Sequence, residues 1–338
     1  VNTNGADYLI PADAIRIAEI AKAMGFDLEH LKDITIEISI ETPDDEALRE
    51  ITANAEANGY EIVFPPVRFT VTAKAKAADG SEKTVIVSEF SRYVERIMPI
   101  PEGVDPAEIT TGVVYNGDGT FSHVPTEVFE KDGVYYARIR SMSNSTYLVI
   151  YNSVTVPSVK NHWSGEIVND LASRLVIAKP ESFLPDREIT RGEFAEYIAK
   201  AIGIYRTRSE KTITFSDVDT EDELADAIVS AAEYGIIKGF TDGTFRPDLK
   251  ISREEAMAMY ARAMDIIDLE DTGIDKLESY SDADQIAEWA YEYVKKVTGA
   301  GIFVGRTMDT IDPKGTFTCA EATTAISNLL KAAGLINP

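Results

Sequence analysis

The chain is short of the residues that usually carry chemistry. It has one cysteine, Cys319, so no disulfide can form within it. Its three histidines, His30, His123 and His162, fall in unrelated contexts, which argues against a zinc site of ordinary ligand type; no metal and no cofactor is expected. Lys and Arg number 33 against 57 Asp and Glu, a formal net charge of −24. Phosphate binding depends on clustered cations, so nucleic acid is excluded as a partner. No run approaches the roughly eighteen apolar residues of a membrane-spanning helix, so no membrane insertion is expected. The opening Val1-Asn2-Thr3-Asn4-Gly5 holds neither the basic region nor the apolar core of a secretory leader, and the chain reads as the mature C-terminal part or a fragment of a longer protein. There is no Gly-x-Ser-x-Gly elbow, no His-Glu-x-x-His and no Cys–His pair. The acidic residues are too many to single out a glycosidase pair. A non-catalytic protein is the expectation.

What is present divides at about 152–160. With 338 residues the chain has room for two or three domains. Residues 1–153 read as β-rich. Ile34, Ile36, Ile38 and Ile40 alternate with Thr35, Glu37 and Ser39, a half-buried strand. Strands are expected at 60–64, 67–77, 83–88, 110–116, 121–129, 133–140 and 146–151. Turns fall at Ala78-Asp79-Gly80-Ser81, Gly117-Asp118-Gly119 and Lys131-Asp132-Gly133. Helices are expected over 11–24, ended by Gly25, and after Thr42-Pro43, with Thr42 as N-cap, ending at Asn58-Gly59. The spacing of strands describes a small sandwich or open sheet with one or two helices attached.

The second half repeats itself. Gly235-Ile236-Ile237-Lys238-Gly239-Phe240-Thr241-Asp242-Gly243-Thr244-Phe245-Arg246-Pro247 leads into Ile251-Ser252-Arg253-Glu254-Glu255 and a helical stretch. The same skeleton recurs as Phe183-Leu184-Pro185 with Ile189-Thr190-Arg191-Gly192-Glu193, and as Asp312-Pro313 with Gly315-Thr316-Phe317-Thr318-Cys319-Ala320-Glu321. Arg191, Arg253 and Cys319 each stand six residues after a proline (191 − 185, 253 − 247 and 319 − 313). A fixed offset inside variable spacers marks an internal repeat. Helix pairs are expected at 163–175 and 190–203, 222–234 and 252–266, and 285–299 and 318–333. Thr190, Ser252 and Thr318 stand as N-caps answered by Glu193, Glu255 and Glu321. The polar segments 205–214 and 268–279 cross between units. Single units are too small to bury a core alone and should pack around shared helices.

This pattern resembles the S-layer homology (SLH) module of bacterial surface proteins, over roughly residues 154–338. The divisions implied are 154–206, 207–268 and 269–338, an all-α pseudo-trimeric bundle of three repeats behind the β-rich domain, α+β in total. The resemblance implies an extracellular, non-catalytic anchor that binds an anionic secondary cell-wall polysaccharide, often pyruvylated, in grooves between repeats. On that analogy the motif arginine contacts the ligand carboxylate, which maps to Arg191 and Arg253, while Cys319 cannot make the contact. A guanidinium offers a two-point fork to a carboxylate, and the first turn of a helix adds free N–H groups and the positive end of the dipole. Thr190 and Ser252 belong to the same helix starts. Asp242, Gly243 and Thr244 form a loop that reads either as a contact for sugar hydroxyls or as a turn, and Trp163 either as a stacking platform or as a core anchor. Each arginine has a second reading, an ion pair with an acidic neighbour that only holds the repeats together. If the arginines bind ligand, Arg253→Ala weakens binding to wall polymer with little loss of stability. The alternative function is a structural surface-layer protein whose drifted repeats serve self-association. Asp217-x-Asp219-x-Glu221-Asp222 lacks the glycine and distal glutamate of a calcium loop and reads as a solvated helix start.

Overall fold

The computed structural model describes residues 2–3, 5–26, 34–76, 82–207 and 212–338. The turn expected at 78–81 and part of the 205–214 segment lie outside the described residues. The chain divides into two compact units, Val1–Asn152 and Ser153–Pro338.

The first unit is built from two antiparallel sheets. One has the order β1 (Asn2–Thr3), β2 (Ala6–Leu9), β6 (Glu89–Pro99), β10 (Val134–Ser143), β9 (Thr126–Lys131). The other runs β3 (Ile34–Glu41), β4 (Glu61–Lys76), β11 (Thr146–Tyr151), β7 (Thr111–Tyr115), β8 (Phe121–Val124), with β5 (Glu82–Ile86) also paired to β4. Apolar residues from both sheets form one core, in which Phe69 lies edge-on to Tyr8 at 5.0 Å and to Tyr147 at 6.1 Å. The turns at 117–119 and 131–133 join the β7–β8 and β9–β10 hairpins.

Several local expectations change. The strands placed at 60–64 and 67–77 are one strand, β4. Pro65-Pro66 falls where the pairing with β11 shifts register between Tyr147 and Val149, so the missing N–H groups sit at an irregularity of the ladder. The strand expected at 121–129 breaks at Pro125, and its halves belong to different sheets. The strand β6 was not anticipated. The 11–24 helix is a short 3-10 turn at Ala12–Ala14, an extended Ile15, and α1 (Ile17–Ala23). The Ser91 hydroxyl donates to the Asp13 and Ala14 carbonyls and holds that turn. The second helix, α2 (Asp45–Ala57), is capped by Asp44 rather than Thr42; its carboxylate accepts from Glu46 N and Ala47 N and favours the positive helix end.

The second unit contains α3 (Gly165–Ser173), α4 (Arg191–Ala201), α5 (Ala225–Glu233), α6 (Arg253–Ile266), α7 (Tyr291–Gly299) and α8 (Cys319–Ala332). The first helices begin later than expected. Before α7 the chain makes 3-10 turns at Ala283–Gln285 and Glu288–Ala290, and between them Ala287 N is captured by the Glu254 carboxylate at 3.0 Å. The pairing runs between repeats: α4 packs on α5, α6 on α7, and α8 on α3. Phe194 of α4, Tyr260 of α6, Phe303 after α7 and Phe317 before α8 form a chain of buried ring contacts at 5.1–5.7 Å. Each first helix closes on a left-handed residue, Gly235 at φ 71°, Gly301 at φ 76° and, in the first repeat, Leu175 at φ 62°. The following amide bonds back to Ala231 O, Val297 O or Leu171 O. Among the described residues no helix is long and apolar enough to cross a membrane.

Candidate ligand groove

The second helix of each repeat starts with a complete capping box. Thr190, Ser252 and Thr318 accept from the amides of Glu193, Glu255 and Glu321, and those carboxylates accept the N-cap amides at 2.9 Å. The next two amides of each helix have no partner inside it. They reach the loop of another repeat. Arg191 N and Gly192 N donate to Leu249 O and Pro247 O, Arg253 N and Glu254 N to Gly315 O and Pro313 O, and Cys319 N and Ala320 N to Arg187 O and Pro185 O, all at 2.9–3.0 Å. First binds second, second binds third, third binds first. The fixed offset from proline thus marks a carbonyl that accepts from a neighbouring helix start. The loops are fastened from behind by carboxylates: Asp217 accepts from Phe245 N and Arg246 N, and Asp282 from Ile311 N and Asp312 N. Gly192 is needed in this closure, because a Cβ there would lie 2.8 Å from Leu224 and 3.0 Å from Pro247.

The two motif arginines follow the same cycle. Arg191 is 6% exposed and donates to Phe245 O at 3.0 Å and to the Glu255 carboxylate at 3.0 Å, with Phe240 and Phe245 under its guanidinium. Arg253 is 3% exposed and donates to Ile311 O at 2.9 Å, Val304 O at 3.0 Å and Glu321 at 3.3 Å. Burial lowers the pKa of both, and Glu255 or Glu321 works against that shift. Each therefore pairs with the capping glutamate of the next repeat. Both side chains are buried, and the geometry is that of the second reading, an ion pair between repeats. Cys319 is fully buried, and burial pushes its thiol up to about 11. The capping glutamate it faces, Glu193, is served instead by Arg187 through two bonds at 2.8 and 2.9 Å. Burial alone would raise the Glu193 pKa, but the Arg187 and Thr190 bonds outweigh it and hold it below the ordinary value.

Beside Arg191 lies an open groove of about 670 Å³, within the range of small-ligand sites. It is lined by the chain after α5 (Ile237–Thr241), by Ser252 and the residues of α6 as far as Arg262, and by Trp289 of the third repeat. Trp289 is 54% exposed. Of the residues expected to touch ligand, Arg191 and Ser252 line this groove. Thr190, Arg253 and Trp163 lie elsewhere, Trp163 exposed against His162. Asp242, Gly243 and Thr244 form an exposed loop tip held by Asp242 itself, which accepts from Thr244 and pairs with Arg246; the Thr244 and Arg246 bonds lower its pKa to about 2. Lys238, Arg262 and Trp289 are not among the contacts expected from the sequence.

The family model for the S-layer homology domain matches residues 157–195, 214–257 and 279–323. The chain is similar to an amylopullulanase of Thermoanaerobacterium thermosulfurigenes, 32% identical over 252 residues, which is 73% of this chain and 13% of that protein. It is 32% identical over 186 residues to exoglucanase XynX of Acetivibrio thermocellus, 54% of this chain and 17% of the other. A cellulosome-anchoring protein of Acetivibrio thermocellus is 28% identical over 151 residues, 44% of this chain and 33% of the other. The chain thus spans less than a fifth of the two enzymes and a third of the anchoring protein.

Proposed function

We propose, from the three S-layer homology domains this chain carries in tandem, that residues 153–338 are a non-catalytic anchor gripping an anionic, pyruvylated secondary wall polysaccharide at the outside of a bacterial cell. The three repeats close as a pseudo-trimeric bundle, in which the cyclic bonds between helix starts and proline loops supply rigidity. The observation that carries the reading is the groove beside Arg191, lined by the exposed indole of Trp289 together with Ser252, Lys238 and Arg262. Its size suits a sugar unit, and its polar rim suits charge-assisted bonds, each worth about 1.5–3 kcal/mol. Many ligand ends on one polymer raise the effective affinity further. The names of the relatives, a cellulosome-anchoring protein and an S-layer protein among them, support a cell-surface location. The first unit acts as a spacer or platform. The test is co-sedimentation of the chain with cell-wall sacculi before and after acid removal of the wall polymer. Binding to intact sacculi that disappears with the polymer supports the anchor; equal binding to both, or none, refutes it.

A second reading, self-association in a surface lattice, draws on Val304 and Met308, which stand 67% and 100% exposed on the loop after α7. Sedimentation velocity with Met308→Lys tests it: a dimer or larger species lost in the variant supports the lattice role, and a monomer in both removes it.

A further inference from the structure

The three repeats can be superposed residue by residue on two structural marks, the left-handed end of the first helix and the first residue of the second. Three residues after Leu175, Gly235 and Gly301 come Ala178, Lys238 and Val304 (178 − 175, 238 − 235, 304 − 301). Twelve before them come Trp163, Glu223 and Trp289. Nine after Arg191, Arg253 and Cys319 come Lys200, Arg262 and Asn328 (200 − 191, 262 − 253, 328 − 319). Asn328 and Arg262 confirm the register physically: Asn328 donates to Ile302 O at 3.2 Å and Arg262 to the equivalent Ile236 O at 3.1 Å.

The equivalent positions differ in charge. Between the first and second repeats, Ala178 and Glu223 line a cleft of about 150 Å³ with Glu193 and Glu196, and the cations beside them are all spoken for: Lys179 by Glu223, Arg187 by Glu193 and Lys200 by Glu196. At the third set, Val304, Asn328 and Trp163 bring no cation. At the large groove, Lys238 and Arg262 line the same space as Trp289. Neither has a carboxylate partner among the described residues. Arg262 uses one terminal nitrogen on Ile236 O and rests on the Tyr293 ring at 4.8 Å. The two carboxylates of that groove are already answered, Glu255 by Arg191 and Glu254 by Lys314. The groove is therefore a local positive site in a protein of net charge −24.

Resting on the anchor reading, we infer that the groove between Lys238, Arg262 and Trp289 is the one groove of the three that takes the acidic sugar, with Lys238 and Arg262 receiving its anionic substituent and Trp289 stacking on its ring. Arg191 is a positioning residue there, because its donors go to Phe245 O, to Glu255 and, at 3.5 Å, to the carbonyl of Lys238 itself. The third and first repeats serve to build this groove rather than to copy it.

The test counts sites on the intact chain, and for fluorescence alone uses the intact chain carrying Trp163→Phe, so that Trp289 is the sole tryptophan. The probe is muramidase-released wall-glycan fragments, with and without removal of their acidic substituent, followed by calorimetry and indole fluorescence. The inference expects one site per chain, a change in Trp289 emission, and affinity roughly tenfold or more weaker for Lys238→Gln and for Arg262→Gln. Lys200→Gln, at the equivalent place, should bind unchanged. Fragments stripped of the acidic group should bind weakly to every variant alike. The exposed Lys238 side chain can be replaced without touching the fold, and a thermal melt of Arg262→Gln separates folding from binding. Two or three equal sites, or unchanged affinity in both the Lys238 and Arg262 variants of a chain that binds, overturns the inference alone. No binding by the parent chain overturns the anchor reading and this inference with it.

Discussion

Replacing Arg253 by alanine distinguishes an interior tie from a ligand contact. The side chain donates to Ile311 O, Val304 O and the Glu321 carboxylate. Truncation leaves two carbonyls without that donor, at about 1–3 kcal/mol for a buried group left unpaired. Glu321 is not orphaned, because Arg306 and the Thr318 amide still hold it. The loss is therefore set mainly by the carbonyls and the vacated space, about 3 kcal/mol. This sits at the low edge of the range for stripping a buried charge of its only partner, about 3–5 kcal/mol. For a unit of 186 residues (338 − 152) that corresponds to a fall of roughly 6–12 °C in midpoint, at about 2–4 °C per kcal/mol. Both tryptophans, Trp163 and Trp289, belong to this unit, so tryptophan emission on heating reports its unfolding alone. Arg246→Ala is the control: its pair with Asp242 is about half exposed on both sides and should move the midpoint by 1–2 °C at most. An Arg253→Ala midpoint within a degree of the parent would show that the guanidinium does not carry the load assigned to it.

The remaining predictions concern the ring at its other joints. Glu193 has its pKa held below 4.5 in the folded chain, so its contribution is present above its unfolded value and is lost as pH falls through the folded one. Midpoints measured by tryptophan emission should drop as pH falls below about 4.5, and Arg187→Gln should flatten that dependence while costing roughly 1 kcal/mol at neutral pH. Cys319→Arg, which restores the arginine of the other repeats, should destabilise by about 2 kcal/mol or more, because it buries a second cation beside Arg187. Adding Arg187→Ala should recover much of the loss, read as non-additivity in a double-mutant cycle. In the first unit, Gly112→Ala puts a Cβ 2.6 Å from Ile139 and 2.9 Å from Thr126 and should cost about 1–3 kcal/mol, seen as faster amide exchange in β7 and β10.

What the sequence disclosed depended on whether local rules acted alone. The capping boxes at Thr190, Ser252 and Thr318 were legible because N-cap chemistry spans four residues and tolerates little substitution. The alternation of β3 was legible because one face is apolar and the other polar. β6 was not, since Arg96 occupies a core position in it. That guanidinium is wholly buried among Tyr8, Phe69 and Tyr147, at 4.2–5.1 Å from their rings, and donates to Ser143 O at 2.6 Å. Its partners come from distant strands, so no window of sequence shows why an arginine belongs inside. The site shows the same limit more sharply. The motif singled out Arg191 and Arg253, but a motif cannot tell a residue that faces ligand from one that faces its own neighbour. Both turned out to answer Glu255 and Glu321, sixty-odd residues away. Lys238 stands at a position of the repeat that differs from copy to copy and Arg262 lies outside the motif, so their charge gains meaning only once the fold shows Ala178, Val304, Lys200 and Asn328 standing at the equivalent places. A repeat constrains most tightly the residues that hold the copies together. The residues by which one copy differs are the ones free to meet a ligand, and they become visible only when the copies are laid over one another in three dimensions.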